Sequence, residues 1–406
     1  MKVLIISNNE ICYNPRLLKA ADYLTAKNVE VVVFNPIIGI ADEDTYRRTI
    51  QNRPYRVIEF DISKRNFSSK LRWLWVSIIF GFMRFFWDRF RLKWGFKYYM
   101  NRGLFGFREK YAEGCQFIVI NLVDNLPMAA MIKGKYKARI IYDSQEYFRG
   151  QYSNDPDSLR SWVEKAEGTH IVDVDFLMAT TNAMLDRIID DYQIKIPHFR
   201  VRNLPSLNQF ASSVKQRKTN ILKIVWHGMS IYFNNRRGVT RILEALSKTT
   251  TPCHLYLQGK LPTDQERILH ELMNKFNIQG RVTIVPAADP DEIVRSLINY
   301  DVGVSAEIAF EENQALTSSN KLFEYIAAGL AVLCSNLPGL AETLTEYNVG
   351  ILYNSGSADE LASKIDYLNQ NNEVLKSFQS NAAKFSRSDL FWENDYEKVY
   401  RTLLIK

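Results

Sequence analysis

The sequence predicts an α/β protein built from two doubly wound domains that face a cleft. The chain has 406 residues, which is too long for one ordinary hydrophobic core. Short apolar runs typical of buried strands alternate with segments of helical period, both before and after a polar stretch at residues 205–219. Such alternation predicts two parallel sheets, each with helices on both faces and a ligand edge at the strand carboxyl ends.

Composition and charge limit the function classes. The apolar fraction of 46% and the charged fraction of 24% are those of a globular protein. The net charge of +7 fits nucleic acid, an anionic membrane or a phosphate-bearing substrate, but no nucleic-acid motif is present. Four scattered cysteines indicate reduced thiols in a cytosolic protein, and the histidines have no metal-ligand spacing. The apolar run at residues 3–7 is too short for a signal peptide.

The first elements form a β-α-β unit. Residues 3–7 and 29–34 read as strands, and residues 15–24 read as a helix that begins at Pro15. The loop after the first strand has no G-x-G-x-x-G, which argues against a dinucleotide fingerprint. Because this loop lies at a strand carboxyl end, Asn9 and Arg16 are candidate ligand contacts. The alternative for Arg16 is a solvated helix arginine.

An aromatic and basic segment follows at residues 70–102. Its uncharged run at 73–83 is too short for a bilayer span, which takes about 20 residues. Aromatic side chains mixed with arginine and lysine suit the headgroup region of an anionic membrane, so we predict one or two interfacial helices within an insert at 66–105. The alternatives are a core helix or an oligomer contact.

The rest of the first half continues the alternation. Strands at 116–122 and 139–142 are each followed by polar residues, and the second is followed by Asp143, Gln145 and Glu146. A helix at 158–172 and segments at 174–180 and 183–192 follow.

A second alternation begins after the polar linker. A strand at 223–227 leads to Gly228, and Arg236 and Arg237 precede a helix at 239–247. Further segments lie at 254–258, 265–276, 282–285, 290–298, 301–305 and 357–370, and residues 378–406 read as helical.

The stretch at 318–329 contains the highest density of groups suited to binding phosphate. Ser319 is a good N-cap, Gly329 a natural helix stop, and 330–334 a buried strand. Free N–H groups at the helix start, with Lys321, suit a diphosphate, and Glu324 suits ribose hydroxyls. The alternative is an ordinary capped helix. Gly228 and the arginines at 236–237, placed at the same predicted sheet edge, favour a nucleotide-diphosphate site.

These residues carry a family resemblance. The run Asn320-Lys321-Leu322-Phe323-Glu324-Tyr325 with Ala327-Ala328-Gly329 resembles the N-K-x-x-E-Y motif of one subgroup of GT-B glycosyltransferases of the family-4 (group 1) type. Pro15-Arg16, Asp143-Ser144-Gln145-Glu146, Arg202-Asn203-Leu204-Pro205 and the final segment with Trp392 are similar to other parts of that family.

The resemblance implies two Rossmann-like domains and a division of labour between them. Residues 1–205 would bind the acceptor, 206–386 the nucleotide-sugar donor, and 387–406 would form a helix that packs back on the first domain. The reaction would be a retaining sugar transfer without metal or cofactor, from a nucleotide-diphosphate sugar to a lipid-linked or polysaccharide acceptor. The implied location is cytoplasmic, peripheral on the inner face of the cell membrane.

The implied and candidate site residues fall into three groups. Arg237, Lys321 and Gln145 are the catalytic candidates, Gly228, Arg236, Ser319, Asn320 and Glu324 the donor-binding candidates, and Asn9, Arg16, Asp143 and Glu146 the acceptor-side candidates.

Two departures from the family pattern stand out. Leu316 occupies the position of a second glutamate that faces the sugar, and Gln145 replaces a histidine. A glutamine can donate a hydrogen bond but cannot act as a base, which fits a mechanism in which the leaving phosphate takes the acceptor proton. Two rivals stay open: a nucleotide-sugar epimerase, and a non-catalytic GT-B protein that binds a nucleotide-sugar or serves as a scaffold.

Overall fold

The chain forms two compact units, and each unit is made of segments that are not continuous in the sequence. The computed structural model describes residues 1–39, 43–51, 53–90, 102–151, 157–210, 220–233 and 238–404. The first unit comprises Met1–Ala179, Leu185–Arg200 and Lys398–Lys406, and the second comprises Thr180–Met184 and Val201–Glu397.

The first unit is built on a seven-stranded parallel sheet. Its elements are β1 (Lys2–Ile6), α1 (Pro15–Ala26), β2 (Glu30–Ile37), α2 (Glu43–Gln51), β3 (Arg56–Asp61), α3 (Phe67–Phe90), β4 (Phe117–Ile120), α4 (Leu126–Tyr136), β5 (Arg139–Ser144), α5 (Phe148–Gln151), α6 (Asp157–His170), β6 (Phe176–Ala179), α7 (Asn182–Tyr192) and β7 (His198–Arg200). The strand order is β3-β2-β1-β4-β5-β6-β7. The central strand β1 is almost wholly buried, as its continuous apolar run predicts.

Helix α1 begins where the sequence predicts. Pro15 occupies its first turn, and the Asn14 side chain accepts a hydrogen bond from the Leu17 N–H at 3.1 Å. The sequence prediction contains no element at α2, β3, α4 or α5, whereas it places the aromatic segment in helical structure. Helix α3 is a single helix of 24 residues, and residues 91–101 of that segment lie outside the described part of the chain. No helix within the described residues is long and apolar enough to cross a membrane.

The second unit is built on a six-stranded parallel sheet. Its elements, with the helix shared by both units last, are β8 (Leu222–Ser230), α8 (Val239–Lys248), β9 (Cys253–Lys260), α9 (Thr263–Phe276), β10 (Val282–Val285), α10 (Ile293–Leu297), β11 (Val302–Ser305), α11 (Glu312–Leu316), α12 (Asn320–Ala327), β12 (Ala331–Ser335), α13 (Pro338–Tyr347), β13 (Gly350–Tyr353), α14 (Ala358–Gln370), α15 (Asn372–Ser388) and α16 (Trp392–Leu404). The strand order is β10-β9-β8-β11-β12-β13. Buried side chains of the strands pack against α8 and α14 in one continuous core.

The C-terminal segment is two helices rather than one. The predicted helical stretch at 378–406 is interrupted after Ser388, because Asp389 leaves the helical conformation at the end of α15. Helix α16 then passes from the second unit into the first. Within the first unit, Tyr400 packs edge-on against Tyr23, with ring centroids 6.2 Å apart. The predicted fold class, two doubly wound parallel sheets with a C-terminal helix crossing back, is confirmed.

A buried ion pair joins the start of the second unit to α16. Arg202 and Asp395 are each 1% exposed, and the guanidinium donates to the carboxylate at 2.7 and 2.9 Å. The Arg202 backbone N–H donates to the same carboxylate at 3.0 Å, and Arg202 Nη1 donates to the Tyr347 hydroxyl at 2.8 Å. The pair therefore fixes α16 to the segment that follows the first unit.

Each sheet has one point where the strand order reverses. In the first sheet it lies between β1 and β4, and in the second between β8 and β11. The connections from these strands leave in opposite directions, so a crevice opens at their carboxyl ends, where open α/β sheets bind ligands. The two edges defined by β1 and β4 and by β8 and β11 are therefore the places to look for a site.

Candidate active site

Gly228 lies inside β8 rather than after it. The strand continues to Ser230, with a shift in its pairing with β9 between His227 and Ser230. A Cβ at position 228 would lie 2.8 Å from Cη2 of Trp226, so a larger residue here would displace the Trp226 ring. The glycine thus permits both the irregular strand end and the packing of the tryptophan beneath it.

The N-terminus of α12 is not capped by the side chain of its N-cap residue. Ser319 occupies the N-cap position, as predicted, but its side chain makes no capping hydrogen bond. Asn320 is exposed, and the Ser318 hydroxyl is buried without a hydrogen-bond partner in the described chain. The first N–H groups of α12 and this hydroxyl therefore form a local donor set suited to an anion.

Lys321 is held beside a carboxylate at the end of β11. Its Nζ lies 3.0 Å from Oε1 of Glu307 and 3.4 Å from the Ser319 hydroxyl, and 5.7 Å from the Trp226 ring centroid. Ser305 donates to the other Glu307 oxygen at 2.6 Å. Burial opposes the charged form of Glu307, but the Lys321 charge and these hydrogen bonds outweigh it and lower the pKa of the carboxyl. Glu307 therefore carries the negative charge that orients Lys321.

Glu324 has a partner that the sequence interpretation missed. Its Oε2 lies 3.0 Å from Nε2 of His227, and the two side chains are 17% and 9% exposed. His227 ends the regular part of β8, directly before Gly228, so its position next to the predicted glycine was the available signal. The structure thus brings Glu324, Lys321 and Gly228 to one edge of the second sheet. Arg236 and Arg237 lie outside the described residues.

The edge of the first sheet carries polar side chains on adjacent strands. Asn9 is exposed after β1, and the neighbouring Asn8 donates to Oδ2 of Asp124 at 3.3 Å. Burial raises the pKa of Asp124 to about 6, and the hydrogen bond from Asn8 opposes this rise. Asn121, directly after β4, is 1% exposed, and its Oδ1 has no partner in the described chain. Asn121 and Asp124 were not among the predicted site residues, although the sequence places both after a strand.

Arg16 and Asp143 form a pair with each other. Nε and Nη2 of Arg16 each donate to a different Asp143 oxygen at 2.6 Å, and the side chains are 5% and 3% exposed. The two predicted acceptor-side residues therefore come together as a buried bidentate ion pair that joins α1 to β5. Gln145 and Glu146 follow β5 and are half-buried, and Gln145 Nε2 is buried without a partner in the described chain.

Unsatisfied polar atoms mark both edges. Folded proteins rarely leave buried polar groups without partners, so such groups often face a ligand or water. Among the described residues, those at strand carboxyl ends include Asn121, Gln145, His227 and Gln258. Asn121 and His227 lie at the edges that the strand order selects, whereas Gln145 follows the neighbouring strand β5 and Gln258 lies in the neighbouring strand β9.

Comparison with known proteins identifies the second unit. Residues 229–385 match the family model for glycosyl transferases group 1. The second unit therefore contains a segment similar to group 1 glycosyl transferases. The matched segment contains Glu307, Lys321 and Glu324, and His227 and Gly228 immediately precede it. A comparison with curated proteins finds no match by sequence.

Solved structures share the fold over the whole length of the chain. A glycosyltransferase from Rickettsia africae is 15% identical with a TM-score of 0.67 and covers 99% of this chain and 97% of its own. Sucrose-phosphate synthase from Thermosynechococcus elongatus is 15% identical with a TM-score of 0.70, covering 100% and 99%. The Anabaena HepE protein, solved with UDP-glucose, is 14% identical with a TM-score of 0.66, covering 100% of both chains. The fold is that of GT-B glycosyltransferases, and family and fold together support glycosyl transfer.

Proposed function

We propose that this glycosyltransferase is a retaining, metal-independent enzyme of the hexosyltransferase type. It moves a sugar from a nucleotide-diphosphate sugar to a lipid-linked or polysaccharide acceptor of the capsule, exopolysaccharide or lipopolysaccharide kind. The observation that carries the donor assignment is the meeting of Lys321, the uncapped start of α12 and Glu324 at the β8–β11 edge. Structures of Anabaena HepE with UDP and with UDP-glucose support a nucleotide-sugar donor.

The proposed donor chemistry is electrostatic. As the bond between the anomeric carbon and the diphosphate breaks, the sugar becomes oxocarbenium-like and negative charge grows on the leaving group. Lys321 and the first N–H groups of α12 stabilise that charge, with Arg237 as the further predicted cation. Glu324 binds the ribose hydroxyls, which fixes the nucleoside while the diphosphate leaves.

The proposed acceptor chemistry needs no protein base. Gln145 cannot accept a proton from the acceptor hydroxyl, so the leaving phosphate oxygen takes it. The unsatisfied Nε2 of Gln145 donates a hydrogen bond to an acceptor or sugar hydroxyl. Asn9 and Glu146 keep their predicted acceptor-side roles, and the Arg16–Asp143 pair holds the start of α1 against β5 behind them.

Lys321→Met tests the donor assignment. Thermal shift with UDP, GDP, CDP and ADP first selects the nucleotide, and transfer is then followed with the labelled nucleotide-sugar. Loss of one cation at the leaving group lowers turnover by about 100-fold. Lys376→Met is the matched control, since this lysine is 60% exposed on α15. Wild-type turnover by Lys321→Met removes the donor assignment.

The same labelled substrate separates the rivals. A glycosyltransferase gives transfer or slow donor hydrolysis, an epimerase gives a new nucleotide-sugar, and a non-catalytic protein binds without turnover. Gln145 and Leu316 favour the last rival, because both positions lack a group that the family usually carries. Leu316 ends α11, and its carbonyl accepts the Thr181 hydroxyl at 2.5 Å.

A membrane contact through α3 is part of the proposal. Val76 and Phe80 are buried against the first unit, while a second face of the helix leaves apolar side chains exposed. Six of these exposed side chains recur at spacings of three or four residues: Phe67, Leu71, Leu74, Ile78, Phe82 and Phe85. Trp75 and Phe90 are exposed as well. Lys70, Arg72 and Arg89 are exposed on the same helix, so its charge complements an anionic bilayer surface.

Liposome flotation tests the membrane contact. Trp75→Ser/Ile78→Ser/Phe82→Ser removes three exposed apolar side chains and is expected to abolish flotation with vesicles containing anionic lipid. Trp73 is left unchanged because the Lys64 ammonium covers its ring at 3.5 Å. A matched triple serine variant at Met229, Ile221 and Tyr367, exposed on the second unit, is expected to float like the wild type. Equal flotation of both triple variants contradicts the contact.

A further inference from the structure

The carboxylate proposed to bind ribose is itself held by a histidine. Nε2 of His227 lies 3.0 Å from Oε2 of Glu324. Both side chains are largely buried, and they come from different elements, the end of β8 and the first turns of α12. The interaction therefore ties the helix that carries Glu324 to the strand at the reversal point of the sheet.

Tyr325 fixes the geometry of this contact. The His227 backbone N–H donates to the Tyr325 hydroxyl at 3.2 Å, and that hydroxyl donates to the Val304 carbonyl at 3.3 Å. The imidazole meets the Tyr325 ring edge-on, with centroids 5.1 Å apart and planes at 88°. A Cβ at Gly303 would lie 2.2 Å from the Tyr325 ring, so the glycine is what lets the tyrosine lie against β11. The residue next to Glu324 thus locks the imidazole in place.

The His227 and Glu324 side chains are within hydrogen-bond distance, but they are not aligned as a good hydrogen bond. His227 Nε2 is buried and makes no hydrogen bond of good geometry within the described chain, although Glu324 is near. A small rotation of the Glu324 side chain aligns one carboxylate oxygen with an Nε2–H and leaves the other for a ligand hydroxyl. A buried ring that lacks an aligned acceptor favours that rotation, because the alternative leaves a polar group unsatisfied.

We propose that His227 is a positioning residue that holds the Glu324 carboxylate for the ribose hydroxyls of a nucleoside diphosphate. This inference rests on the donor role proposed above. Its consequence is selectivity: the histidine strengthens binding of the ribonucleotide and leaves binding of the 2′,3′-dideoxyribonucleotide nearly unaffected. Without it Glu324 samples several rotamers, and ordering it on the ligand weakens ribose binding.

The experiment compares ribo- and dideoxyribonucleotides on the full chain. Whichever of UDP, GDP, CDP and ADP binds the wild type most tightly is titrated beside its 2′,3′-dideoxy counterpart by calorimetry. His227→Phe keeps the edge-on ring contact with Tyr325 and the backbone hydrogen bond but removes the nitrogen. His227→Gln keeps an N–H donor at a similar distance from the backbone.

The wild type is expected to prefer the ribonucleotide by about tenfold, the value of one hydrogen bond to a charged group. His227→Phe loses most of that preference through weaker ribonucleotide binding, with dideoxyribonucleotide affinity unchanged, and His227→Gln restores part of it. An unchanged preference in His227→Phe overturns the inference, as does a wild type that binds both nucleotides equally. If His227→Phe fails to fold, an unchanged preference in His227→Ala serves the same purpose. A wild type that binds none of the four nucleotides overturns the donor role itself.

Discussion

Replacing Asp395 by asparagine tests whether the buried Arg202–Asp395 pair stabilises the second unit. The wild-type carboxylate accepts one backbone and two guanidinium hydrogen bonds from Arg202, and both side chains are 1% exposed. Burial opposes the charged form of Arg202, but Asp395 outweighs it and raises the pKa of the guanidinium above its ordinary value. The substitution therefore leaves a buried cation without its main counter-charge.

The expected loss of stability follows from that geometry. Removing one partner of a buried pair costs about 3–5 kcal/mol. Asp389 lies 3.5 Å from the same guanidinium but is 34% exposed, so it compensates only weakly. We expect Asp395→Asn to lower the free energy of unfolding of the second unit by about 3 kcal/mol.

Urea unfolding followed by tryptophan fluorescence measures the change. Trp392, 1% exposed at the start of α16, reports on the same helix. Glu271→Gln is the matched control, since its partner Arg267 is 82% exposed, and it should change stability by less than about 0.5 kcal/mol. A loss below about 1 kcal/mol in Asp395→Asn, with an unchanged control, refutes the reasoning.

Two further predictions concern stability. Burial raises the pKa of Glu167 to about 7, with Tyr142 and Tyr192 each donating to it at 2.8 Å. In the unfolded chain the pKa of this carboxyl is about 4.3. The contribution of Glu167 to stability is therefore fully present below that pH and is lost as the pH rises through about 7. The melting temperature of the wild type should therefore fall more than that of Glu167→Gln between about pH 5 and about pH 8, and parallel curves would contradict this. Gly303→Ala, whose Cβ would meet the Tyr325 ring at 2.2 Å, should destabilise the protein by about 1–3 kcal/mol. Gly134→Ala in α4, with nothing within 4 Å of its Cβ, should stabilise the protein by up to about 1 kcal/mol. If Gly303→Ala stabilised the protein as Gly134→Ala does, the contact at Gly303 would not matter.

The elements with strong periodicity were predictable from the sequence. The run at β1 is apolar throughout because both faces of a central parallel strand are covered, and Pro15 marks the start of α1. Strand β3 is an edge strand with half-buried and exposed residues, so it lacks that signal. Helix α11 has only five residues, which is too short for a helical period to show in the sequence.

The candidate site was predictable in its residue types but not in its pairings. The sequence points to Lys321 and Glu324 in a predicted helix and to Gly228 after a predicted strand, and the structure places all three at one edge. The partners Glu307 and His227 come from different loops and strands, and only the strand order brings them within 3.0 Å of those residues. Arg16 and Asp143 were both predicted, but their bidentate pairing over 127 positions of sequence is a property of the fold.

Because neither unit is continuous in the sequence, only some junctions between two parent chains keep both units whole in a chimeric enzyme. A second unit taken from a relative must bring its equivalents of both Thr180–Met184 and the long segment from Val201, since both belong to one unit here. The end of α16 must stay with the parent that supplies the first unit, because Tyr400 packs on Tyr23 there, whereas Asp395 must stay with the parent that supplies Arg202. A junction between Glu397 and Lys398 respects both requirements, and a single cut in the linker at 205–219 respects neither.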